Sequence, residues 1–346
     1  MGSDFLNTKE LCLALAGAYG TSGDEKEARL CAERELKKYM RTETDALGNL
    51  IGSVGTGRVN ILLDAHLDTV GLVIKGIDEN GFLLFDKVGG IDERILTGNT
   101  VKVLSKKILD GVICSTPPHL ASGSDADKKI SVKTMAIDVG LGKEEAEMTV
   151  EIGDRVVVTG HQLTLLGEKI ASYGFDDRCG AAAVIKAVEA VYDKIKNVRL
   201  TVLLSSGEEV GGSGAKTGTF SVDADYAIAV DVGFGSDNVT PKEETIVLSK
   251  GPSIGISPVL DRALTLKLKD IAKRKNIPYQ HDVMSGRTGT NADHITISKG
   301  GVKTALLSIP LRNMHTPVEV ISLDDIENTA KLIAEFILET DGEENA

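Results

Sequence analysis

The sequence predicts an α/β protein with a mostly parallel, mixed sheet flanked by helices and a small β-rich domain inserted into it. Three observations carry that expectation. Apolar, β-branched runs such as Val59–His66, Arg199–Ser205, Tyr226–Val232 and Thr304–Ile309 read as buried strands. Segments with helical spacing alternate with them, and such alternation favours a parallel sheet covered on both faces. From about Gly71 to Gly167 the texture changes to short alternating runs separated by Gly, Asn, Pro and Asp, which reads as a barrel or sandwich. A chain of 346 residues is long for one core. The expected division is a discontinuous domain of residues 1–70 and 168–346, interrupted by a second of residues 71–167.

Two helices open the chain, over about Phe5–Tyr19 and Glu25–Met40. The apolar run Leu11–Ala18 is short and follows Asp4, Lys9 and Glu10, so it reads as an amphipathic helix and not a secretory leader. Thr42–Ile51 is a strand with a glycine turn, followed by the apolar strand ending at His66. Within the β-rich block the runs are Gly81–Val88, Thr100–Leu104, Val112–Ser115 and Arg155–Thr159, with one helical piece near Lys143–Met148 and a polar surface loop at Ala121–Lys129. Beyond Gly167 comes a strong helix over Asp177–Tyr192, with Ala181, Val184, Ile185, Val188 and Val191 at helical spacing. Short helices are expected near Ser213–Thr219 and Asn291–Ser298, longer ones over Asp261–Lys275 and Leu323–Glu339, and a further strand over Tyr279–Val283. The tail Asp341–Ala346 is expected to fray. No internal repeat is visible.

Composition removes several classes. Acidic residues outnumber basic ones 51 to 39, and the net charge of −12, without a Lys/Arg cluster, argues against nucleic acid or an anionic membrane as a partner. No apolar stretch is long enough to span a bilayer. Cys12, Cys31, Cys114 and Cys179 are scattered with no CxxC pair, which implies reduced thiols in a cytoplasmic protein.

The chemistry is concentrated at strand ends. Thr201–Ser205 runs into Gly207-Glu208-Glu209, and in an open α/β sheet ligands collect at the carboxyl ends of strands. A single glutamate pair would read as a solvated turn. However, His66 also ends a buried strand, with Asp68 two residues on and able to orient its imidazole. Asp176 and Asp177 precede a helix, where capping is the ordinary role for aspartate. Asp231 ends another strand, and His315 follows a fourth. Two imidazoles and several carboxylates at one sheet edge suit a pair of zinc-like ions sharing a bridging carboxylate. Ion pairs of that kind, about 3.5–4 Å apart, clamp the attacking and leaving groups of a hydrolysis.

The ordered set His66-Leu-Asp68, Phe175-Asp-Asp-Arg178, Gly207-Glu-Glu-Val-Gly211, Ala229-Val-Asp231 and Met314-His-Thr-Pro-Val-Glu-Val320 resembles the TET-type metallo-aminopeptidases. These are glutamyl-aminopeptidase-like members of clan MH. Asp45–Ile51, Ser115–His119, Ala136–Gly140 and Ser249–Pro252 extend the resemblance nearly end to end. It implies two divalent ions per subunit, zinc foremost with cobalt or manganese as alternatives. Asp176 would bridge them, Glu209 and His315 completing one site and His66 and Asp231 the other. Glu208 would be the general base for a metal-activated water, and Asp68 would stand behind His66. The β-rich block would be a PDZ-like barrel that builds a homo-oligomer, dimers assembling into a tetrahedral dodecamer, and the substrates would be short peptides.

The chain also departs from the pattern. It reads His66-Leu67-Asp68-Thr69 for His-Met-Asp-Glu, Asp176-Asp177-Arg178 for Asp-Asn-Arg, Gly289-Thr290-Asn291-Ala292 for Gly-Thr-Asp-Ala, and Met314 before the last histidine. No ligand is lost; the preferred amino-terminal residue and the metal are left open. Two other classes fit less well. A glycoside hydrolase could use paired carboxylates, but the chain has no Trp and few aromatics for sugar stacking. A non-enzymatic metal-binding assembly protein would have no need of Glu208. His119, His161, His281 and His294 read as surface or packing residues, and the cysteines as buried thiols, Cys179 lying close to Asp176.

Overall fold

A computed structural model describes residues 6–116 and 131–344. The expected loop Ala121–Lys129 and His119 lie outside them. Asn7 caps α1 (Thr8–Gly17) through a reciprocal capping box with Glu10, and α2 (Lys26–Leu36) follows. Next come β1 (Arg41–Thr44), β2 (Leu50–Val54) and β3 (Val59–His66). The β-rich block contributes β4 (Gly71–Ile77), β5 (Leu83–Val88), β6 (Thr100–Leu104), β7 (Ile108–Ser115), β8 (Met135–Asp138), α3 (Lys143–Thr149) and β9 (Arg155–Val158). Its six strands close into a barrel in the order β4-β5-β8-β7-β6-β9. Leu72, Phe85, Val101, Ile137 and Val156 form a core of the barrel's own.

The chain returns through β10 (Leu163–Leu165) and β11 (Lys169–Ser172) to α4 (Phe175–Val191), β12 (Val198–Ser205) and α5 (Ser213–Ser221). It continues with β13 (Tyr226–Phe234), β14 (Ser253–Ile256), α6 (Arg262–Arg274), β15 (Gln280–Val283) and α7 (Ala292–Thr296). It ends with β16 (Lys303–Leu311), β17 (Glu319–Ser322) and α8 (Leu323–Glu343). The main sheet has eight strands in the order β1-β2-β12-β3-β13-β16-β14-β15. Its centre, β12-β3-β13-β16, is parallel. Strands β1 and β2 run antiparallel on one side, and β14 opposes β16 on the other, so the sheet is mixed.

Alternation along the central strands divides the two faces. Ile61, Leu63 and Ala65 of β3 enter the large core with Val184 of α4 and Ile333 of α8. Leu62, Leu203 and Leu306 instead pack with Ala215 of α5 and Ala292 of α7. His66 and Asp231 have the parity of this second face, so both side chains emerge at the strand ends on the α5/α7 side.

Three expectations need adjustment. The small sheet β10-β11-β17 was not foreseen, because its three-to-four-residue strands carry too little periodicity to read. The helix expected from Asp177 takes helical angles only from Arg178, since Asp176 and Asp177 are non-helical and joined by a cis peptide bond. The tail does not begin to fray at Asp341: α8 runs on to Glu343, and the Asp341 carboxylate accepts from the backbone N–H groups of Lys196, Asn197 and Val198 at 2.8, 2.6 and 3.0 Å. Those bonds cover donors at the turn before β12.

Candidate active site

Strand register brings the polar residues together. Ser205 of β12 pairs with His66 of β3, so Glu208 and Glu209, just past the end of β12, stand beside the imidazole. Ala229 pairs with Asp64, which sets Asp231, two residues on, level with His66. Asp176 arrives from the start of α4 and His315 from the loop after β16. Gly207 takes φ +64° at the turn into the two glutamates, a conformation that favours glycine.

His66 Nε2 lies 3.1 Å from Asp176 Oδ1 and 4.0 Å from Asp231 Oδ1. The other Asp176 oxygen, Oδ2, lies 3.4 Å from His315 Nε2, which is also 3.4 Å from Glu209 Oε1. Two donor groups result, His66/Asp176/Asp231 and Asp176/Glu209/His315, each with its ligand atoms within 4.8 Å of one another. Asp176 belongs to both, one oxygen facing each histidine. The outward nitrogens are also engaged: His66 Nδ1 is 2.9 Å from the Asp68 carbonyl and 3.5 Å from its carboxylate, and His315 Nδ1 is 3.2 Å from the Gly90 carbonyl of the barrel. Such outer contacts orient an imidazole and select its tautomer.

The donor set passes a chemical test for divalent cations. Burial pushes the carboxyls of Asp231 and Glu209 above the usual range, and burial together with the neighbouring carboxylates raises Glu208 to about 7. Asp176 is held low in spite of burial, because both imidazoles bond to it. Burial opposes charging of the imidazoles, yet His66 is raised well above its ordinary value and His315 to about 11 by the carboxylates around them. The cluster thus crowds more carboxyl groups together than its two imidazoles can pair, and the Arg178 guanidinium is committed to backbone carbonyls. Oxygen and imidazole donors in these numbers fit zinc-like ions.

The supports include residues that the sequence did not single out. The Glu319 carboxylate accepts from the N–H groups of Phe175, Asp176 and His315 at 2.7, 3.2 and 3.0 Å, tying both candidate ligand segments to β17. Asp68 accepts from Ser22 Oγ at 2.6 Å and from the N–H groups of Glu208 and Glu209 at 2.9 and 3.2 Å. Asp177 accepts from the His66 N–H at 3.3 Å. Nothing in the spacing of Glu319 or Ser22 signals a contact made across the fold. A cavity of about 650 Å³ opens beside the cluster, lined by His66, Asp176, Glu208, Glu209, Asp231 and His315 at one end. His281, expected at the surface or in packing, also lines it. Cys179 is buried, and burial pushes its thiol well up, so it stays protonated.

Comparison with known proteins follows this geometry. The chain is 32% identical over 302 residues to the lysyl aminopeptidase of Pyrococcus furiosus, covering 85% of this chain and 86% of that one. An aminopeptidase from the archaeon Desulfurococcus kamchatkensis superimposes with a TM-score of 0.89 at 34% identity, over 96% and 94% of the two chains. The TET1 peptidase of Pyrococcus horikoshii, described as assembling into a tetrahedron or a large octahedral shell, has a TM-score of 0.84 at 36% identity, over 96% and 100%. A family model described as M42 glutamyl aminopeptidase matches residues 48–332. With that match lying across the whole candidate site, the chain belongs to the M42 glutamyl aminopeptidase family.

Proposed function

We propose that this protein is a dinuclear metallo-aminopeptidase that removes amino-terminal residues from short peptides. Family membership supplies the coarser statement, a peptide aminopeptidase. The observation that carries the finer one is the carboxylate of Asp176, with one oxygen toward each of two otherwise separate donor groups. In this reading His66, Asp176 and Asp231 hold one ion, and Asp176, Glu209 and His315 hold the second. When bound, the ions supply Lewis acidity and lower the pKa of water toward about 7.

The chain's own residues do the rest. Glu208 takes a proton from water as its oxygen attacks the peptide carbon, then gives that proton to the nitrogen as the C–N bond breaks. A carboxyl raised to about 7 in the ion-free protein suits both halves of that transfer. Asp68 positions His66 and, through the Glu208 and Glu209 N–H groups, the turn that carries the base. The free amino terminus of the substrate would be read beside the same acidic cluster.

The barrel, within residues 71–167, we assign to assembly of a homo-oligomer, with dimers joining into a tetrahedral dodecamer. Its exposed Ile108, Val112, Met148 and Ile152 support that role. Among the described residues no helix is long and apolar enough to cross a membrane. The four unpaired cysteines agree with a cytoplasmic setting. A glycoside hydrolase gains no support, since among the described residues Phe234 is the sole Phe, Tyr or Trp lining the cavity.

The test is turnover of one short peptide with a free or an acetylated amino terminus, by wild type and by Glu208→Gln. Wild type should strongly prefer the free peptide. Glu208→Gln should lose about 10²–10⁴-fold in kcat while retaining its ions. Equal rates on both peptides would make it something other than an aminopeptidase, and an active Glu208→Gln would remove the base from its role.

A further inference from the structure

The far end of the 650 Å³ cavity carries a charge pattern that the hydrolytic reading does not use. Among the described residues, seven carboxylates line the cavity and no lysine or arginine does, in a chain that contains 39 such cations. Three of the seven, Asp176, Glu209 and Asp231, are candidate metal ligands, and a fourth, Glu208, is the proposed base. The other three, Glu243, Glu244 and Asp282, stand apart from them. Asp282 lies on β15, the edge strand, and its carboxylate has no hydrogen bond or ion pair among the described residues. Burial is the only influence on that carboxyl, pushing it up with no cation to offset it. His281 next to it is held low by burial and by Lys269 and Lys273, so it brings no countercharge at neutral pH.

Between the two acidic ends the apolar side chains of Phe234, Ile246, Val283, Met284 and Leu306 line the cavity together with the hydroxyl residues Thr245, Thr288, Thr290 and Ser308. A wall that offers apolar contact and uncharged hydroxyls and ends in carboxylates is complementary to a long methylene chain ending in a cation. The separation fits as well. Asp231 and Asp282 stand on strands three steps apart in the order β13-β16-β14-β15 and two residues out of register, since Asp231 lies level with Ser308, Ser253 and Gln280; that is roughly 16 Å, at about 4.8 Å per step and about 3.3 Å per residue. A substrate α-carbon held near the centre, together with the length of the Asp282 side chain, reduces that gap to the reach of an extended lysine or arginine.

We infer that the cavity selects peptides whose amino-terminal residue is lysine or arginine, with Asp282, Glu243 and Glu244 as the specificity-determining carboxylates. This rests on the aminopeptidase reading, and it decides a point that family membership leaves open, since relatives are named for both glutamyl and lysyl substrates.

The test uses the zinc-loaded, full-length protein and two readouts. One is kcat/KM on the p-nitroanilides of lysine, arginine, norleucine, 2,4-diaminobutyrate and glutamate. The other is calorimetric affinity for the free amino acids lysine and norleucine. Lysine should exceed norleucine, its uncharged counterpart, by about tenfold or more in both, since screening is incomplete in a half-buried pocket. The short diaminobutyrate should fall below lysine because its cation stops short of Asp282. The lysine-to-norleucine ratio should approach unity at about 1 M salt, where the screening length is about 3 Å, and should drop several-fold in Asp282→Asn and in the surface pair Glu243→Gln/Glu244→Gln. Norleucine or glutamate matching lysine in the wild type, or ratios unmoved by these substitutions, would overturn the inference. Selective binding of lysine with no amide cut would support the pocket and sink the peptidase reading. Turnover of every amide without preference would do the reverse.

Discussion

Asp176 is the residue on which the proposed dinuclear site depends most, because its two oxygens face two different imidazoles. Protons are held on the same atoms that would bind the proposed cations. His315 is raised to about 11, burial notwithstanding, by bonds to Asp176 and Glu209, and His66 is raised well above its usual value in the same way. Both therefore carry protons through neutral pH, and Glu209 and Asp231, pushed up by burial, bind protons more readily than ordinary carboxylates. A ligand nitrogen or oxygen must shed its proton to bind a metal, so every one of these shifts acts in the same direction. Ion binding at pH 7 should release protons, and affinity should climb as pH rises toward about 11. Calorimetry in buffers of different ionisation enthalpy reads this directly; an ion that binds with no proton release would contradict the assigned ligands. Each of the seven candidate residues was legible as a polar side chain at a strand end or sheet-edge turn. Glu319 was not, because its three bonds are to backbone N–H groups contributed by distant segments.

At the scale of elements, the end of β3 is locked in place by Arg178. Its guanidinium is fully buried and donates to the carbonyls of Leu67, Leu15, Ala16 and Gly20 at 3.0, 3.1, 3.4 and 3.2 Å, and to that of Ala18. It thereby joins α1, β3 and α4 next to His66. A lysine carries three donors on a single point and cannot reproduce that fork. Arg178→Lys should cost about 3 kcal/mol in urea unfolding, since buried carbonyls left without donors cost about 1–3 kcal/mol each. A loss below about 1 kcal/mol would show that the fork is not what holds these elements. The long elements were legible for a plain physical reason: β3 and α4 bury almost every residue they carry, so apolar residues dominate both despite Asn60 and Asp64 in β3 and Lys186 and Glu189 in α4. The strands β10, β11, β14 and β17 span three or four residues each, and β10 is exposed throughout. In such elements tertiary pairing decides the conformation and sequence pattern says little. The parallel centre of the sheet followed from strand–helix alternation; the antiparallel edges β1, β2 and β14 required the structure.

For the whole molecule, the barrel is joined to the site as well as to the surface. Gly90 accepts from His315 when that nitrogen is protonated, and an added Cβ at Gly90 would lie 3.0 Å from the ring. A block proposed to build the oligomer therefore borders a proposed metal ligand, and assembly and ion binding should be linked. Light scattering should give a particle several times the monomer mass with ions bound and a smaller species after chelation; a fully active monomer at micromolar concentration would detach the chamber from the chemistry. The central claim is that two ions, sharing Asp176, are needed for peptide hydrolysis. Titrating ion-depleted protein with zinc while following cleavage of a short peptide tests it most directly. Full activity should arrive only at two equivalents per chain, whereas full activity at one equivalent, or with none, would contradict the account.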